Sequence, residues 1–459
     1  MDCKPDPERK GIHSIIKVAK GMSEVAESEE QEVEPIQSVR KLEGSVDVPG
    51  SEAVSIQALS FAARVDGETT LTRCAMTPVV RTHIGLLEQF GVKVNLNGES
   101  ATVFAGEVTT PEGEIAASSI ESYGALSGLS VGRSVVLTGS HDYKADAGRI
   151  LDALNGFDAV VRHGEDSPFP ADLGKVLPKP GTYQLGQPDS NVKTALFLSV
   201  IDQEGCYVLQ QGLAGEDDLE VLFRHAGGRL EKGRIEEADG YQITFEGPQS
   251  LSGAKHELPG GATGTLFILA AAAIRPKSEI EIYHAGSDWR TRRLIDLLRR
   301  LDLKIQIEKT RTTSGFSTRS LKVRSGELRR IKVADEYSAL FLDEVPTFAV
   351  IGACAVGETV IRDVASLRQG DVDAIGLTVE GLRAFGVRVG EMPDGMVIQG
   401  VNALQGATVD AGNDPRVGMA FTIAGMAAEG ETKVLNPGPI EETYPGVLLR
   451  IQSVSVIGR

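Results

Sequence analysis

One pattern recurs six times along the chain and constrains its fold more than any other feature. Each copy begins with a helix of small apolar residues and passes through a glycine turn into a β-branched strand, followed by a loop and an amphipathic helix. A further strand follows in the first five copies. The copies begin at Ala58, Ala125, Ala195, Leu266, Phe348 and Met419. Such internal repetition indicates one supersecondary unit that packs against its neighbours.

This order of elements predicts an α/β protein in which helices pack against sheets. The first helix of each copy carries few charges, as expected of a helix that its neighbours bury on most sides. The chain has 459 residues, which is enough for two domains of ordinary size with three units in each. The turn-rich stretch Leu251 to Gly261 is the predicted boundary between them.

Charge and hydropathy exclude several classes of partner. The net charge of −17 disfavours nucleic acid and anionic membrane surfaces. The longest apolar run, Thr265 to Ile274, is too short to span a bilayer, and the first residues lack the apolar core of a signal peptide. We therefore predict a cytoplasmic monomer with a small-molecule substrate, without nucleic-acid or membrane partners.

The cysteines and histidines show no metal-binding or disulfide pattern. The four cysteines are far apart and the seven histidines are scattered, so no ligand spacing is present. Free thiols in a reducing compartment are the simplest interpretation. We predict no metal site and no cofactor.

Residues 1–32 are predicted to be a disordered acidic tail. The run Glu27 to Glu34 is dominated by glutamate, which is typical of a solvated segment. Within the tail, Ile12 to Met22 has the spacing of a short amphipathic helix. Either a partner-binding role or a frayed helix would explain that spacing.

The stretch VDVPGSEAVSIQALSFAA, from Val46 to Ala63, reads as a strand, a Pro-Gly turn and a helix. Free backbone N–H groups at such a helix start suit an anion. An anion site of this kind usually adds a lysine or arginine, whereas this turn carries Glu52. The sequence thus combines an anion-binding backbone with a carboxylate.

Several segments together resemble the enolpyruvyl transferase family over about Val33 to Arg450. The segments are GSVDVPGSEAVSIQAL, LFLDEVPTFAVIGACAVGETVIRDVASLR, VEGLRAFGVRVGEMPDGMVIQG and GNDPRVGMAFTIAGMAAEGET. The resemblance implies a two-domain inside-out α/β barrel, with three units per domain around buried parallel helices. One domain would comprise 51–255 and the other 33–50 plus 256–459, joined by two crossing strands and closing over the substrates.

The family reaction moves the carboxyvinyl group of phosphoenolpyruvate onto an acceptor hydroxyl and releases phosphate. By resemblance, Asp343 in LDEVP is the acid/base carboxylate, with Glu344 or Asp371 as a second one. A carboxylate at a strand end before a buried helix can have a raised pKa and exchange protons. The alternative is that Asp343 only caps the helix that begins near Pro346.

Other positions of the family site would bind substrate in the interdomain cleft. By resemblance, these residues are Ser51, Ser55, Ser190, Asn191, Lys193 and Arg416.

Six family cations are missing from this chain. Their positions are occupied by Glu52, Gln57, Ser127, Gly370, Ala374 and Glu442. A charge-assisted hydrogen bond contributes about 1.5–3 kcal/mol, so losing five of them removes on the order of 7 kcal/mol or more. Candidate compensating cations are Lys144, Arg149 and Lys193. The basic helix Asp288 to Leu301 is another, although its arginine spacing is more typical of a solvated face.

These losses predict an enolpyruvyl transferase-family enzyme that has diverged to a less anionic acceptor. Two alternatives remain open. One is a non-catalytic descendant that binds a metabolite or a protein, and the other is an ordinary shikimate-pathway enzyme with a rewired site. A partly basic cleft around Asp343 would favour an enzyme, whereas a filled or acidic cleft would favour the binding protein.

Overall fold

The computed structural model describes residues 33–104, 106–140, 143–159, 161–164, 166–186, 188–212, 217–235, 240–369 and 372–457. The predicted tail, residues 1–32, and the predicted site residues Gly370 and Asp371 lie outside these ranges. Strands and helices alternate through the described chain, as an α/β protein requires.

The strands of the described ranges are β1 (Val39–Asp47), β2 (Glu68–Thr72), β3 (Lys93–Asn97), β4 (Ser100–Phe104), β5 (Glu114–Ala116), β6 (Val135–Thr138), β7 (Val161–Arg162), β8 (Ala171–Leu173), β9 (Gly181–Gly186), β10 (Gly205–Gly212), β11 (Leu230–Arg234), β12 (Gly240–Gly247), β13 (Lys255–Glu257), β14 (Glu279–Gly286), β15 (Lys304–Thr313), β16 (Phe316–Arg324), β17 (Lys332–Val333), β18 (Glu358–Ile361), β19 (Arg388–Met392), β20 (Gly395–Gln399), β21 (Thr408–Asp410), β22 (Lys433–Leu435) and β23 (Ser455–Ile457).

The α-helices are α1 (Glu52–Ala62), α2 (Pro78–Gln89), α3 (Ile120–Ser130), α4 (Lys144–Gly156), α5 (Ser190–Val200), α6 (Asp218–His225), α7 (Ala262–Ala273), α8 (Trp289–Arg300), α9 (Glu336–Leu340), α10 (Val345–Ala353), α11 (Ala374–Ala384), α12 (Pro415–Ala427), α13 (Ile440–Thr443) and α14 (Val447–Ser453). A single 3₁₀ turn, Ala365–Arg368, precedes α11.

The strands of the described residues pair into six sheets, of which five are mixed and one, β21-β22, is a parallel pair. The largest has the order β15-β16-β14-β1-β23, in which β1 runs parallel to β14 and antiparallel to β23. The others have the orders β11-β12-β10-β9, β13-β2-β4-β3, β17-β18-β20-β19, β5-β6-β8-β7 and β21-β22. Helices α1, α3, α5, α7, α10 and α12 are buried along most of their length.

Small residues let the buried helices approach each other closely. A Cβ atom on Gly128 of α3 would lie 2.5 Å from the carbonyl oxygen of Ala195 in α5. Any larger residue at position 128 would therefore push these two helices apart. The low charge and high glycine and alanine content that the sequence shows in these helices is thus a packing requirement.

Buried apolar residues of the described chain form two clusters. The first core runs from Val54 to Leu258 and includes Phe316. The second core combines Val39 to Val48 with residues from Ala262 to Val454. The chain passes between the cores at Gly50 and Gly260, which form a bridge. A Cβ atom on Gly50 would lie 1.8 Å from the carbonyl oxygen of Arg73, so this turn admits only glycine.

The structure thus shows a mixed α/β protein with two cores, while the domain boundaries stay a prediction. Cys74, Cys206 and Cys354 are free thiols. In the part of the chain that the structure describes, no helix is long and apolar enough to cross a membrane. The same part holds no group of three or more histidine, cysteine, aspartate or glutamate side chains arranged to hold a metal ion.

Candidate active site

The first turns of the six buried helices carry the candidate site residues. Free N–H groups at a helix start, together with the helix dipole, favour a negative charge there. At three of these starts the chain's own carboxylates, Glu52, Glu121 and Glu344, can supply that charge. The residues at or next to these starts are Glu52 of α1, Glu121 of α3, Ser190 of α5, Thr263 of α7, Glu344 before α10 and Arg416 of α12.

Asp343 and Arg416 lie together, as the resemblance implied. An Arg416 Nη1 hydrogen bond of 2.9 Å reaches Asp343 Oδ1, and the same guanidinium binds Asp414 through Nε and Nη2. Burial alone would lower the pKa of Arg416, but these two carboxylates outweigh it and raise that pKa. Because 64% of the Asp343 side chain is exposed, this carboxylate remains open to solvent and to a ligand.

Asp343 does not cap the helix that follows it. Helix α10 begins at Val345, its N-cap residue is Glu344, and no side chain makes a capping hydrogen bond there. The alternative in which Asp343 serves only as a helix cap is therefore wrong. Its acid/base role stays a prediction.

Glu344 is a buried carboxylate held by an arginine. Only 1% of its side chain is exposed, and Arg290 Nη2 contacts its two oxygens at 2.9 and 3.1 Å. The Thr263 hydroxyl also donates to Glu344. Burial raises the pKa of Glu344 and the charge of Asp343 adds to the rise, while Arg290 and Thr263 oppose it.

Two further carboxylates face this group from the first core. Glu52 accepts a hydrogen bond from the Thr77 hydroxyl. Burial raises the pKa of Glu52 from 4.5 to about 7; Thr77 opposes the rise and the charge of Glu121 adds to it. Burial also raises the pKa of Glu121, and across the two cores the charge of Asp343 raises it further while Arg290 lowers it.

We call Glu52, Glu121, Asp343 and Glu344, together with Arg290 and Arg416, the acidic site. Its four carboxylates outnumber its two guanidinium groups, and each guanidinium already contacts a carboxylate. The phenol of Tyr444 is close enough to this site to feel its charges. Burial raises the pKa of Tyr444, and the charges of Asp343 and Glu344 raise it further. The arrangement can hold and move protons, and it has little spare positive charge for an anion.

The predicted substrate-binding serines near α1 hold the local backbone. Ser51 is the N-cap residue of α1 and accepts from the Val54 N–H at 3.4 Å. Ser55 is fully buried; its hydroxyl donates to the Ser51 carbonyl at 2.7 Å and accepts from the Ala75 N–H at 2.9 Å. These contacts shape the turn, so a ligand would meet mainly the backbone at this point.

The remaining predicted binding residues lie on α5. Ser190 and Asn191 are partly buried at its first turn, behind the N-cap residue Asp189. Lys193 is only 2% exposed, and its ammonium lies 2.6 Å from Asp217 and 2.7 Å from Glu220. Because that ammonium already contacts two carboxylates inside the first core, the structure offers no support for Lys193 as a substrate-binding or compensating cation.

The positions where the family has cations have several different environments. Gln57 is buried and its side-chain amide donates to the Thr194 hydroxyl at 3.2 Å. Ser127 and Ala374 are also buried, whereas Glu442 is exposed on α13. Gly370 lies outside the described residues. None of the five described positions, Glu52 included, brings a positive charge to the acidic site.

Of the candidate compensating cations, only one lies in the acidic site. Lys144 donates to the Asp166 carbonyl, and Arg149 contacts Asp146 and Asp189. The interpretation of helix α8 as a solvated face is wrong for Arg290, which contacts Glu344 and stacks over Phe341 at 5.5 Å.

A signal for Arg290 was present in the sequence. A positive side chain in the first turn of a helix opposes the helix dipole, so its presence there needs a nearby anion. Arg290 is the second residue of α8, directly after the capping Asp288 and Trp289. Tyr444 and Thr263 carried no comparable signal, because only tertiary packing brings them to the carboxylates.

Comparison with known proteins identifies the family of this chain. A family model described as EPSP synthase (3-phosphoshikimate 1-carboxyvinyltransferase) matches residues 36–450. The 3-phosphoshikimate 1-carboxyvinyltransferase of Brevibacillus brevis is 27% identical over 421 residues, covering 90% of this chain and 97% of that protein. The enzyme of the same name from Thermosynechococcus vestitus is 29% identical over 427 residues, with coverages of 90% and 96%.

Solved structures share the fold. EPSP synthase from Acinetobacter baumannii superimposes with a TM-score of 0.78 at 21% identity, covering 92% of this chain and 98% of that one. The enolpyruvyl transferase NikO from Streptomyces tendae gives a TM-score of 0.72 at 20% identity, with coverages of 93% and 99%. The matched model spans most of the chain and includes every described residue of the acidic site, and this chain therefore belongs to the EPSP synthase family of transferases.

Proposed function

We propose that this chain is an enolpyruvyl transferase-family enzyme whose acceptor is less anionic than shikimate 3-phosphate. One observation carries the proposal: Glu52 and Glu121 place carboxylates at the first turns of two buried helices, where their charges and that of Asp343 repel one another. By resemblance, these positions hold a lysine and an asparagine in relatives that bind multiply charged substrates.

Charge repulsion and lost attraction both weaken the binding of a phosphorylated acceptor. Two like charges about 6 Å apart at an effective dielectric constant of 20 repel by about 3 kcal/mol. Each missing charge-assisted hydrogen bond removes a further 1.5–3 kcal/mol, approximately. A neutral or amine-bearing acceptor avoids this like-charge repulsion, and an amine can also bind the carboxylates. The same carboxylates disfavour a phosphorylated acceptor.

The retained groups support chemistry on such an acceptor. The exposed Asp343 carboxylate beside Arg416 can accept the proton that an acceptor hydroxyl releases when its oxygen attacks the enolpyruvyl carbon. The carbon–oxygen bond to phosphate then breaks with its electron pair on the phosphate oxygen. That oxygen takes up the proton from Asp343, so hydrogen phosphate leaves and the Asp343 carboxylate is restored. Arg416 and Arg290 are the guanidinium groups that lie closest to this carboxylate chemistry in the acidic site.

We also propose that the elements form six units, three around each core, as in a two-domain inside-out barrel. The order helix, strand, helix, strand supports this, as do the two clusters of buried residues. The ligand would lie between the cores, where Glu121 meets the charges of Asp343 and Arg290. We further propose that the chain works as a monomer.

The test measures phosphate release from phosphoenolpyruvate by the purified chain. Acceptors are shikimate 3-phosphate, shikimate and an amine-substituted shikimate, each with Asp343→Ala as the control. We expect release with an uncharged or amine-bearing acceptor and none with shikimate 3-phosphate. Robust release with shikimate 3-phosphate that Asp343→Ala abolishes would refute the proposal and support an ordinary shikimate-pathway enzyme.

A reciprocal variant tests the electrostatic reasoning directly. Glu52→Lys with Glu121→Asn brings the family residues into the acidic site and should increase affinity for shikimate 3-phosphate at least tenfold in calorimetry. Glu88→Lys with Glu380→Gln, at exposed positions of α2 and α11, makes the same change in net charge outside the site. Equal effects of the two double variants would show that net charge, and not the site, decides binding.

A second candidate function is a non-catalytic binding protein. It is favoured by the pairing of both site guanidinium groups with the chain's own carboxylates, which leaves the site acidic. This candidate predicts that phosphoenolpyruvate neither binds in calorimetry nor releases phosphate with any of the three acceptors. Measurable binding of phosphoenolpyruvate that Arg416→Ala abolishes would argue against it.

A further inference from the structure

An apolar groove lies beside α13 and α14, separate from the acidic site. Its apolar wall is formed by Pro35, Ile36, Val434, Ile440 and Leu448. The chain between Val33 and Ile36 itself forms one side of this groove, immediately after residue 32. Pro35 is exposed and Ile36 and Leu448 are half-buried, whereas Val434 and Ile440 are buried. A partly exposed apolar groove can receive the apolar face of an amphipathic helix.

The groove also has an acidic rim with an unsatisfied charge. Glu34, Glu441 and Glu442 line it. Glu34 Oε2 is buried and accepts no hydrogen bond from any part of the chain that the structure describes. A buried carboxylate oxygen without a donor is costly, so this position calls for a cationic partner. The occupant that fits is therefore apolar on one face and positively charged beside it.

One segment of this chain has that chemistry. Residues Ile12, Ile15, Ile16 and Ala19 recur at the i, i+3, i+4 and i+7 positions of a helix. The range 9–22 contains two lysines beyond Lys10, together with Arg9, and no acidic residue. An isolated helix of this length is only marginally stable in water, so a groove would be needed to hold it.

The chain is long enough to bring this segment back to the groove. Ten residues, 23–32, separate Met22 from Val33 in the groove wall. Ten residues span up to about 35 Å when extended, and an eleven-residue helix is about 16 Å long. A segment tethered by a linker of this length has an effective concentration in the millimolar range, so even a weak contact would be occupied.

We propose that residues 12–22 dock as an amphipathic helix into the groove between Ile36 and Leu448 of the same chain. The isoleucines contact the apolar wall, and Lys17 and Lys20 bind the acidic rim at Glu34 and Glu442. This docking uses none of the six residues of the acidic site, although Glu442 also occupies a position where the family has a cation. Its test therefore measures amide protection and not turnover.

Hydrogen exchange of the full chain, read by mass spectrometry, tests the docking. Amides of residues 12–22 should exchange at least tenfold more slowly than expected for an unstructured peptide. Lys17→Glu with Lys20→Glu should remove this protection, and so should Glu34→Lys with Glu442→Lys. Combining all four substitutions should restore it, because the two charges are then exchanged.

Controls separate the charge contact from general effects. Glu88→Lys with Glu380→Lys makes the same change in net charge at exposed helical positions and should leave the protection intact. Ile15→Ser with Ile16→Ser should abolish it without changing charge. Unprotected amides of residues 12–22 in the unmodified chain would overturn the proposal. Protection that persists in both charge-reversal variants would also overturn it. Protection that appears only at high protein concentration would assign the groove to a second copy and also overturn it.

Discussion

Replacing Glu52 by glutamine should stabilise the folded chain at alkaline pH and change little at acidic pH. Glutamine keeps an oxygen that accepts the hydrogen bond from Thr77 but cannot carry a charge. The pKa of Glu52 is raised from 4.5 to about 7 mainly by burial. The folded chain therefore holds a proton at pH values where the unfolded chain has already released it.

The sign and size of the effect follow from this difference. Between pH 4.5 and about 7 the folded state binds more protons than the unfolded state, so stability falls as pH rises through that window. Above it the full penalty is present. A shift of this size corresponds to about 3 kcal/mol, which sets the upper end of an expected gain of about 1–3 kcal/mol for Glu52→Gln at pH 8.

Calorimetric unfolding at pH 5 and pH 8 measures the gain, with Glu88→Gln on the exposed face of α2 as the matched control. Glu52→Gln should raise the unfolding temperature several degrees more at pH 8 than at pH 5, and Glu88→Gln should do so at neither pH. An equal gain at both pH values, or a loss at pH 8, would refute the reasoning that the Glu52 carboxylate is destabilised by burial.

Three further changes test other parts of the structure. Lys193→Met leaves Asp217 and Glu220 without their buried partner and should lower the free energy of unfolding by about 3–5 kcal/mol in calorimetry. Lys179→Met, at an exposed pair with Asp158, should lower it by less than about 1 kcal/mol. Similar losses in the two variants would contradict the buried-pair argument. Gly128→Ala forces α3 away from Ala195 and should destabilise the fold by about 1–3 kcal/mol. Gly148→Ala in α4, where no atom lies within 4 Å of the added Cβ, should stabilise the fold by up to about 1 kcal/mol. Stabilisation by both substitutions would show that α3 and α5 are not in close contact. Arg290→Gln leaves the buried Glu344 carboxylate without its cationic partner, so it should cost about 3–5 kcal/mol at pH 8. The loss should be smaller at pH 5, because the pKa of Glu344 is raised by burial and lower pH favours its neutral form, and Arg290→Lys should recover part of the loss. A loss that is independent of pH would assign Arg290 a packing role only.

Much of the fold could be predicted because its determinants are local and repeated. The small-residue helices that begin near Ala58 and Ala125 require close packing, and the structure buries them as α1 and α3. The Pro-Gly turn before Glu52 could also be identified from the sequence. The structure explains its glycine, because a side chain at Gly50 would collide with the Arg73 backbone. Local patterns of this kind can be identified without knowing the tertiary structure, because they depend on residues that are close in sequence.

The candidate site could be predicted only in part. Through the resemblance Asp343 was assigned an acid/base role and Arg416 a substrate-binding role in one site, and the structure shows a contact of 2.9 Å between their side chains. Lys193 was assigned to substrate binding by the same resemblance, yet its ammonium contacts Asp217 and Glu220 in the first core. Nothing in the sequence around position 193 reveals that its charge is already compensated.

The sequence by itself determined the order of elements, the buried helices, the six positions at which family cations are missing, and the family. Only the tertiary structure decided that Arg290 contacts Glu344 and that the charge of Glu121 meets that of Asp343 across the two cores. The physical reason is that helix and strand patterns depend on neighbours within a few residues. Electrostatic environments depend instead on burial and on charges brought together from distant parts of the chain.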